Sequence, residues 1–562
     1  VTQPPTSINL RGAVPHFYIR IDGDLATDEM QSLDSLSIES SLHLPDMASL
    51  VLRDFTPLRE QAQGYRFVDN EKGKFVNGKS LTITIKVGTH EEVNVFDGEI
   101  VEVEAQLSGH GQRLLVRAFD RLHKLSRGTF TRTFQNVTDM DVVRKVAGEL
   151  GLTARTGPAN FVHDYVLQSN QTNLEFLRGR AAALGYLLFV DGKELNCVPV
   201  ESMGHAGDLQ WGVNLSEFTP RVSSLDQAKR TTVRGWDPQR KQAVVSSAGR
   251  GKGEPQAGAA GEEDLSQEYT ETSRVVRQEK LAEAYAQGSA DQKRQKFLEA
   301  SGVAGGYPKM TAGMTVALKG VSERFEGTYT LSSVTHRFHT DSGYVTEFTV
   351  SGMRGSDLAQ TLTGAGGRGE AGGGSGGKQP GLVIGIVTNN DDPKGMGRVK
   401  VKFPWLSDKH ESDWARVASV GGGAKRGMAW LPEVDDEVLI GFEQGDMHHP
   451  YVVGGLWNGV DALPEPNKKL VKGGKTVRRV QYSRKGHKIV LDDSDDQPGI
   501  TVEDMNGNVI HIDSRTNKLT IRMKGDIEVS AQGRLDLKAQ TGVSIDGGAG
   551  AVTVRGTTIK LN

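Results

Sequence analysis

From Ile510 onward, apolar residues come in pairs separated by one residue, and the pairs recur at a nearly constant interval. They are Ile510/Ile512, Leu519/Ile521, Ile527/Val529, Leu535/Leu537, Val543/Ile545, Val552/Val554 and Ile559/Leu561, with steps of nine, eight, eight, eight, nine and seven. Alternation within each unit is the period of a strand with one buried face. Gly525, Gly533, Gly542 and Gly550 punctuate the turns. So short a strand cannot bury its apolar face alone, and neighbouring copies must cover it. A single-chain β-solenoid takes roughly twenty residues per coil, so this repeat is too short. An antiparallel meander favours Asn-Gly or Asp-Gly at tight hairpins, and only Asn506-Gly507 and Asp546-Gly547 supply one. Three identical chains wound together place the apolar pairs inside and leave no lateral sheet edge. The repeat therefore predicts an intertwined triple-stranded β-helix over residues 487–562, a rigid needle whose core is the pairs from Ile510 to Val554.

A chain of 562 residues holds several domains, and its glycines mark the joints. Residues 364–377 contain nine glycines and read as a linker, extended to 380. Residues 246–262 read as a flexible loop, and 460–486, prolines followed by a basic stretch, as a connector. The expected organisation is a hub over 1–363, a barrel over 381–459, then connector and needle. In the hub, Leu81–Val87 and Leu114–Ala118 alternate as strands. Helices are predicted over Thr138–Leu150, over Thr172–Leu184 from the capping box Thr172/Glu175, and over 273–300. Tyr186–Val190 and Leu195–Val198 suggest a hairpin, and 315–350 returns to strands. The class is mainly β: two strand-rich, barrel-like lobes with inserted helices, making an α+β hub. Six short strands, including Ala429–Leu431, suit a closed oligonucleotide/oligosaccharide-binding (OB) barrel over 381–459.

Net charge is −3 with both signs interspersed, so no strong field for nucleic acid is implied. Arg398, Lys400 and Lys402 share a face of one barrel strand, but the barrel's second half is acidic and the face reads as solvated. A single cysteine, Cys197, excludes an internal disulfide framework and suits a reducing cytoplasm. Neither an apolar run of membrane-spanning length nor a signal-peptide layout over Val1–Arg20 is present.

The barrel segments Gly385-Ile-Val, Gly395-Met-Gly-Arg-Val-Lys-Val401, Phe403-Pro-Trp405, Trp430-Leu-Pro432, Asp436-Glu-Val438 and Val453-Gly-Gly-Leu-Trp457 resemble those of contractile-tail spikes. Upstream, Ser169-Asn-Gln-Thr-Asn-Leu-Glu-Phe-Leu177, Leu184–Val190, Phe325–Tyr329, Val334–His336 and Gly343–Phe348 resemble the hub of phage late-control and VgrG proteins. The chain thus resembles the fused hub and spike of contractile injection systems, most closely those of extracellular particles. That resemblance implies a homotrimer linking inner tube and baseplate and puncturing a target envelope. It implies a small PAAR-like tip protein on the end around Thr557, Ile559 and Leu561, and transient contact with the target membrane. Effector cargo would come from elsewhere. The particle would be released from the cell after cytoplasmic folding.

No catalytic, cofactor or metal residue is expected, and no enzyme. Gly73-Lys-Phe-Val-Asn-Gly-Lys79-Ser80 matches a phosphate loop in letters, but a strand follows where a helix is required. Gly373-Gly-Ser375-Gly-Gly377 and Gly364–Gly369 match catalytic and dinucleotide patterns inside the linker alone. His336/His339 and His448/His449 read as surface or turn histidines. The alternatives are a trimeric tailspike that binds or degrades polysaccharide, and, more remotely, a nucleotide-binding enzyme dependent on Lys79. The absence of Trp, Tyr or Phe after Tyr482 speaks against a sugar-binding needle.

Overall fold

The computed structural model describes residues 14–42, 44–54, 74–108, 111–158, 161–199, 204–222, 227–249, 267–272, 274–295, 297–350, 379 and 381–560. The 364–377 linker with its two glycine motifs, residues 250–262 of the loop, Gly73 and Leu561 lie outside them. The chain divides into two compact units, Val1–Leu456 and Trp457–Asn562.

Unit one is built on an eleven-stranded sheet. From one edge its strands are Leu215–Val222, Leu298–Gly305, Gly343–Val350, Ser333–His339, Leu33–Ser41, Met47–Asp54, Gly111–Phe119, Val93–Ser108, Ser80–Val87, Pro15–Ile21 and Asp24–Leu25. Period-two alternation drives one row of side chains out of water on each strand. Two cores result: Ile19, Leu36, Ile38, Leu50, Ile83 and Val116 in one, Leu209, Val316, Tyr329, Val334 and Phe348 in the other. The two strand-rich lobes thus share one sheet.

A third core gathers helices Asp139–Glu149 and Asn173–Ala183 against strands. Each helix opens on a capping box: the Thr172 hydroxyl accepts from the Glu175 amide at 3.1 Å, and the Glu175 carboxylate accepts from the Thr172 amide at 3.0 Å. In the first turn of the first helix, Asp139 accepts from Arg180 and lies 3.0 Å from His163 Nε2. Burial alone would raise this carboxyl; Arg180 and His163 hold it down at about 2.

The predicted 273–300 helix spans Glu279–Gln295 only. It packs Ala282, Ala286 and Ala290 onto Val233. A Cβ at Gly288 would stand 2.8 Å from the Ala183 carbonyl oxygen, so glycine permits this close approach. From Leu298 the buried positions Leu298, Ala300 and Ala304 fall on even steps, and Leu298–Gly305 is a sheet strand.

The barrel closes in the order Val383–Asn389, Arg398–Lys402, Ala415–Val417, Pro450–Gly455, Glu437–Phe442. Val387, Val399, Val401, Ala415, Val438, Ile440 and Val452 fill it. The expected strand at Ala429–Leu431 does not form. Pro432 restricts Leu431 and supplies no N–H to a ladder. A small Gly422–Gly423/Arg426–Gly427 hairpin precedes this segment, and Trp430 and Leu431 are left exposed. Barrel meets hub through polar contacts: Tyr165 Oη donates to the Glu411 carbonyl at 2.7 Å, and Arg277 pairs with Glu443 at 2.9 Å.

Unit two opens with a short helix, Asn467–Leu470, and a small Val471–Lys472/Lys475–Thr476 hairpin. A five-stranded antiparallel meander follows: Arg478–Tyr482, Lys488–Asp492, Gly499–Glu503, Val509–Asp513 and Lys518–Arg522. This corrects the expectation for the first two repeat pairs, since Ile510/Ile512 and Leu519/Ile521 are joined by in-chain pairing. Aspartate-led loops turn the chain, one of them around Asn506-Gly507 and the other without that signal. Asp504 accepts from the Asn506 and Asn508 amides at 2.9 and 2.8 Å, and Asp513 from those of Arg515 and Thr516 at 2.9 and 3.1 Å. After Arg522 no described residue belongs to a strand, and every residue from 524 to 560 is exposed.

Candidate functional site

The meander is inside out for a lone chain. Register places Ile489 opposite Val502, Leu491 opposite Ile500, Ile500 opposite Ile512, Val502 opposite Ile510, Ile510 opposite Ile521 and Ile512 opposite Leu519. Directly paired residues share a face, so these eight form one apolar surface. Their exposures run from 40% at Ile510 to 59% at Leu519. The opposite face carries the polar chemistry and is the better covered. There Arg478 pairs with Asp492 at 2.8 Å, Lys488 with Glu503 at 2.8 Å, and Thr501 Oγ1 lies 2.9 Å from His511 Nδ1. Val490 on that face is buried. Water-soluble sheets normally do the reverse, and an exposed apolar patch of this extent marks a contact surface.

The later pairs continue the pattern. Ile527, Val529, Leu535, Leu537, Val543, Ile545, Val552, Val554 and Ile559 are all more than half exposed, and Thr557 is exposed as well. The structure therefore brings Ile510, Ile512, Leu519 and Ile521 together on one face and leaves the rest unpaired within the chain. Ile489, Leu491, Ile500 and Val502 belong to the same face and escaped the sequence reading. Ile489-Val490-Leu491 is an unbroken apolar run that hides the two-residue period, whereas Ile500-Thr501-Val502 carries the same signal as the later pairs.

The barrel's basic strip is largely occupied. Asp392, its side chain 3% exposed, caps the loop ahead of the strand. It accepts from the amides of Lys394, Met396 and Arg398 at 3.0, 2.8 and 3.3 Å and from the Arg398 guanidinium at 3.0 and 2.5 Å. The guanidinium holds this carboxyl well below the usual carboxylate range. Lys400 pairs with Glu411 at 3.3 Å, and both basic groups lie over Trp414. Trp405 and Trp430 are exposed, although the Trp405 ring lies 6.0 Å from that of core Phe403.

The described part of the phosphate-loop letters, residues 74–80, holds a β-turn closed by the Lys79 amide donating to the Val76 carbonyl at 3.1 Å. Gly78 donates to the Ile100 carbonyl at 2.7 Å, Lys79 Nζ lies 3.8 Å from Asp22, and strand Ser80–Val87 follows. Among the described residues no helix starts there to face a phosphate. His336 is no surface residue, which corrects the sequence reading. It is 3% exposed, with Nε2 2.9 Å from the Met310 carbonyl and Nδ1 2.8 Å from Tyr344 Oη. Burial lowers its pKa to about 4. His448 and His449 sit in the expected turn and share Asp446, His448 Nδ1 at 2.6 Å and His449 Nε2 at 3.9 Å. Burial lowers the His449 pKa to about 3. No cluster of three metal-ligating side chains occurs among the described residues.

A β-rich hub, a closed five-stranded barrel and a C-terminal sheet with its apolar face uncovered define a VgrG-like spike architecture. The chain belongs to the family described as the Alg8 N-terminal domain, whose model matches residues 12–340. Residues 383–457 match the type VI secretion system/phage-baseplate injector OB domain. Among curated relatives, the type VI secretion system spike protein VgrG5 of Pseudomonas aeruginosa is 43% identical over 72 residues, 12% of this chain and 9% of the relative. The spike protein VgrG3 of Vibrio cholerae is 36% identical over 96 residues, 16% of this chain and 9% of the relative. The matched segments thus span less than a tenth of those relatives. In fold, the chain is similar to a chain of the lidded Francisella PdpA-VgrG complex, with TM-score 0.51, 9% identity, and coverage of 92% of this chain and 81% of that one.

Proposed function

We propose that this chain is one of three identical subunits of a structural spike in a contractile injection machine. The observation that carries the reading is the apolar face Ile489–Ile521, which one chain leaves in water and two further copies would bury. In this reading residues 1–363 are the hub that joins inner tube and baseplate, 381–459 a collar, and 487–562 the needle. Beyond Arg522 the strands would pair only between chains, with the pairs from Ile527 to Val554 as core. The end around Thr557, Ile559 and Leu561 would dock a small tip protein. Force then passes down a rod whose backbone groups are satisfied between chains, and the work is mechanical, with no reaction catalysed. Assembly into a phage tail-like particle, released from the cell and directed at a target envelope, follows from the same reading.

Limited proteolysis tests it. Lys524, Arg534, Lys538, Arg555 and Lys560 offer trypsin five sites in a segment that a lone chain leaves wholly exposed. A wound needle keeps that segment intact while exposed loops elsewhere are cut. Cleavage at these sites as fast as in an unfolded peptide would contradict the proposal.

A further inference from the structure

Residues 464–488, at the start of unit two, hold nine lysines and arginines against one carboxylate, Glu465, in a chain whose net charge is −3. Part of this charge is internal to the fold. Lys472 pairs with Asp496, Arg478 with Glu465 and Asp492, Arg479 with Asp493, and Lys488 with Glu503, at 2.6–3.0 Å. Lys468, Lys469, Lys475 and Lys485 are exposed and have no ion-pair partner among the described residues. They stand on a one-turn helix, a two-residue strand with a Gly473-Gly474 turn, and the Ser483–Gly486 turn.

We propose that this basic segment contacts the phosphate headgroups of an anionic lipid bilayer. The inference rests on the spike reading, which brings the needle to an envelope, and it names the residues and lipid chemistry of that encounter. Clusters of four to eight cations beside a bilayer bind anionic lipid at ordinary ionic strength, and three copies would present the four free lysines threefold. Lysine is a compact point charge suited to a diffuse anionic surface, whereas arginine suits bidentate pairing at a fixed site. A nucleic acid groove also requires stacking aromatics. The segment's one aromatic of that kind, Tyr482, is only partly exposed and donates its hydroxyl to Glu465 at 3.0 Å.

The test is co-sedimentation of the full chain with phosphatidylglycerol vesicles, with phosphatidylcholine vesicles, and separately with a DNA duplex. Binding to the anionic vesicles alone is expected, lost in strong salt. It should weaken at least about tenfold in the quadruple variant K468S/K469S/K475S/K485S. No binding to anionic vesicles at low salt, equal binding by the variant, or preference for DNA would each overturn the proposal. The solution mass of the variant is read alongside. An unchanged trimer with lost vesicle binding separates the lipid contact from assembly, and a monomeric wild type would fail the spike reading independently.

Discussion

Asp392 shows how much one buried carboxylate can organise. With five hydrogen bonds it fixes both the loop 392–398 and the orientation of Arg398 on the barrel strand. Asp392→Ala should strand a guanidinium that is 11% exposed and cost the barrel about 3 kcal/mol, read by chemical denaturation. Two hub groups set opposing pH dependences. Burial pushes the Asp46 carboxyl, which faces the likewise raised Asp120, up to about 7 against a usual 3.8, so the folded chain keeps a proton that the unfolded chain has shed. Its stabilising contribution is complete below pH 3.8 and lost as pH rises to about 7. His336, lowered from 6.5 to about 4, contributes fully above pH 6.5, and that contribution is lost as pH falls to about 4. Thermal midpoints from pH 4 to 8 should decline less toward pH 8 in Asp46→Asn than in the parent. An identical decline in both would remove Asp46 from the account.

At the scale of elements, the meander separates stability from assembly. Val490 supports the polar face within one chain, while Ile512 and Leu519 point to the uncovered one. Ile512→Asp should therefore lower the oligomer mass and leave the monomer folded by circular dichroism. Gly499→Val should disrupt the sheet itself, because a Cβ there would lie 2.3 Å from the Ile512 carbonyl oxygen. The capping box at Thr172, the strand at Ser80–Val87 and five of the six expected barrel strands could be read from local chemistry. The turn at Asn506-Gly507 carried its signal, but the next could not be read, because Asp513 closes its loop with a side-chain acceptor where neither Asn-Gly nor Asp-Gly is present. His336 was misread for a related reason: its burial depends on Met310 and Tyr344, which no local pattern connects to it.

At the scale of the whole molecule, the eight-residue repeat pointed to a surface that needs partners, and the structure shows that surface bare. It did not reveal that the five meander strands of unit two pair within the chain before the unpaired repeats begin. Tube, baseplate and tip partners entered through resemblance, since no side-chain cluster identifies them. The central claim is the threefold assembly, and light scattering after size exclusion tests it most directly, on the full chain beside a chain ending at Lys469. About three times 60.8 kDa is expected for the full chain, with loosening or dissociation once the needle is removed. A stable monomer in both samples would contradict it.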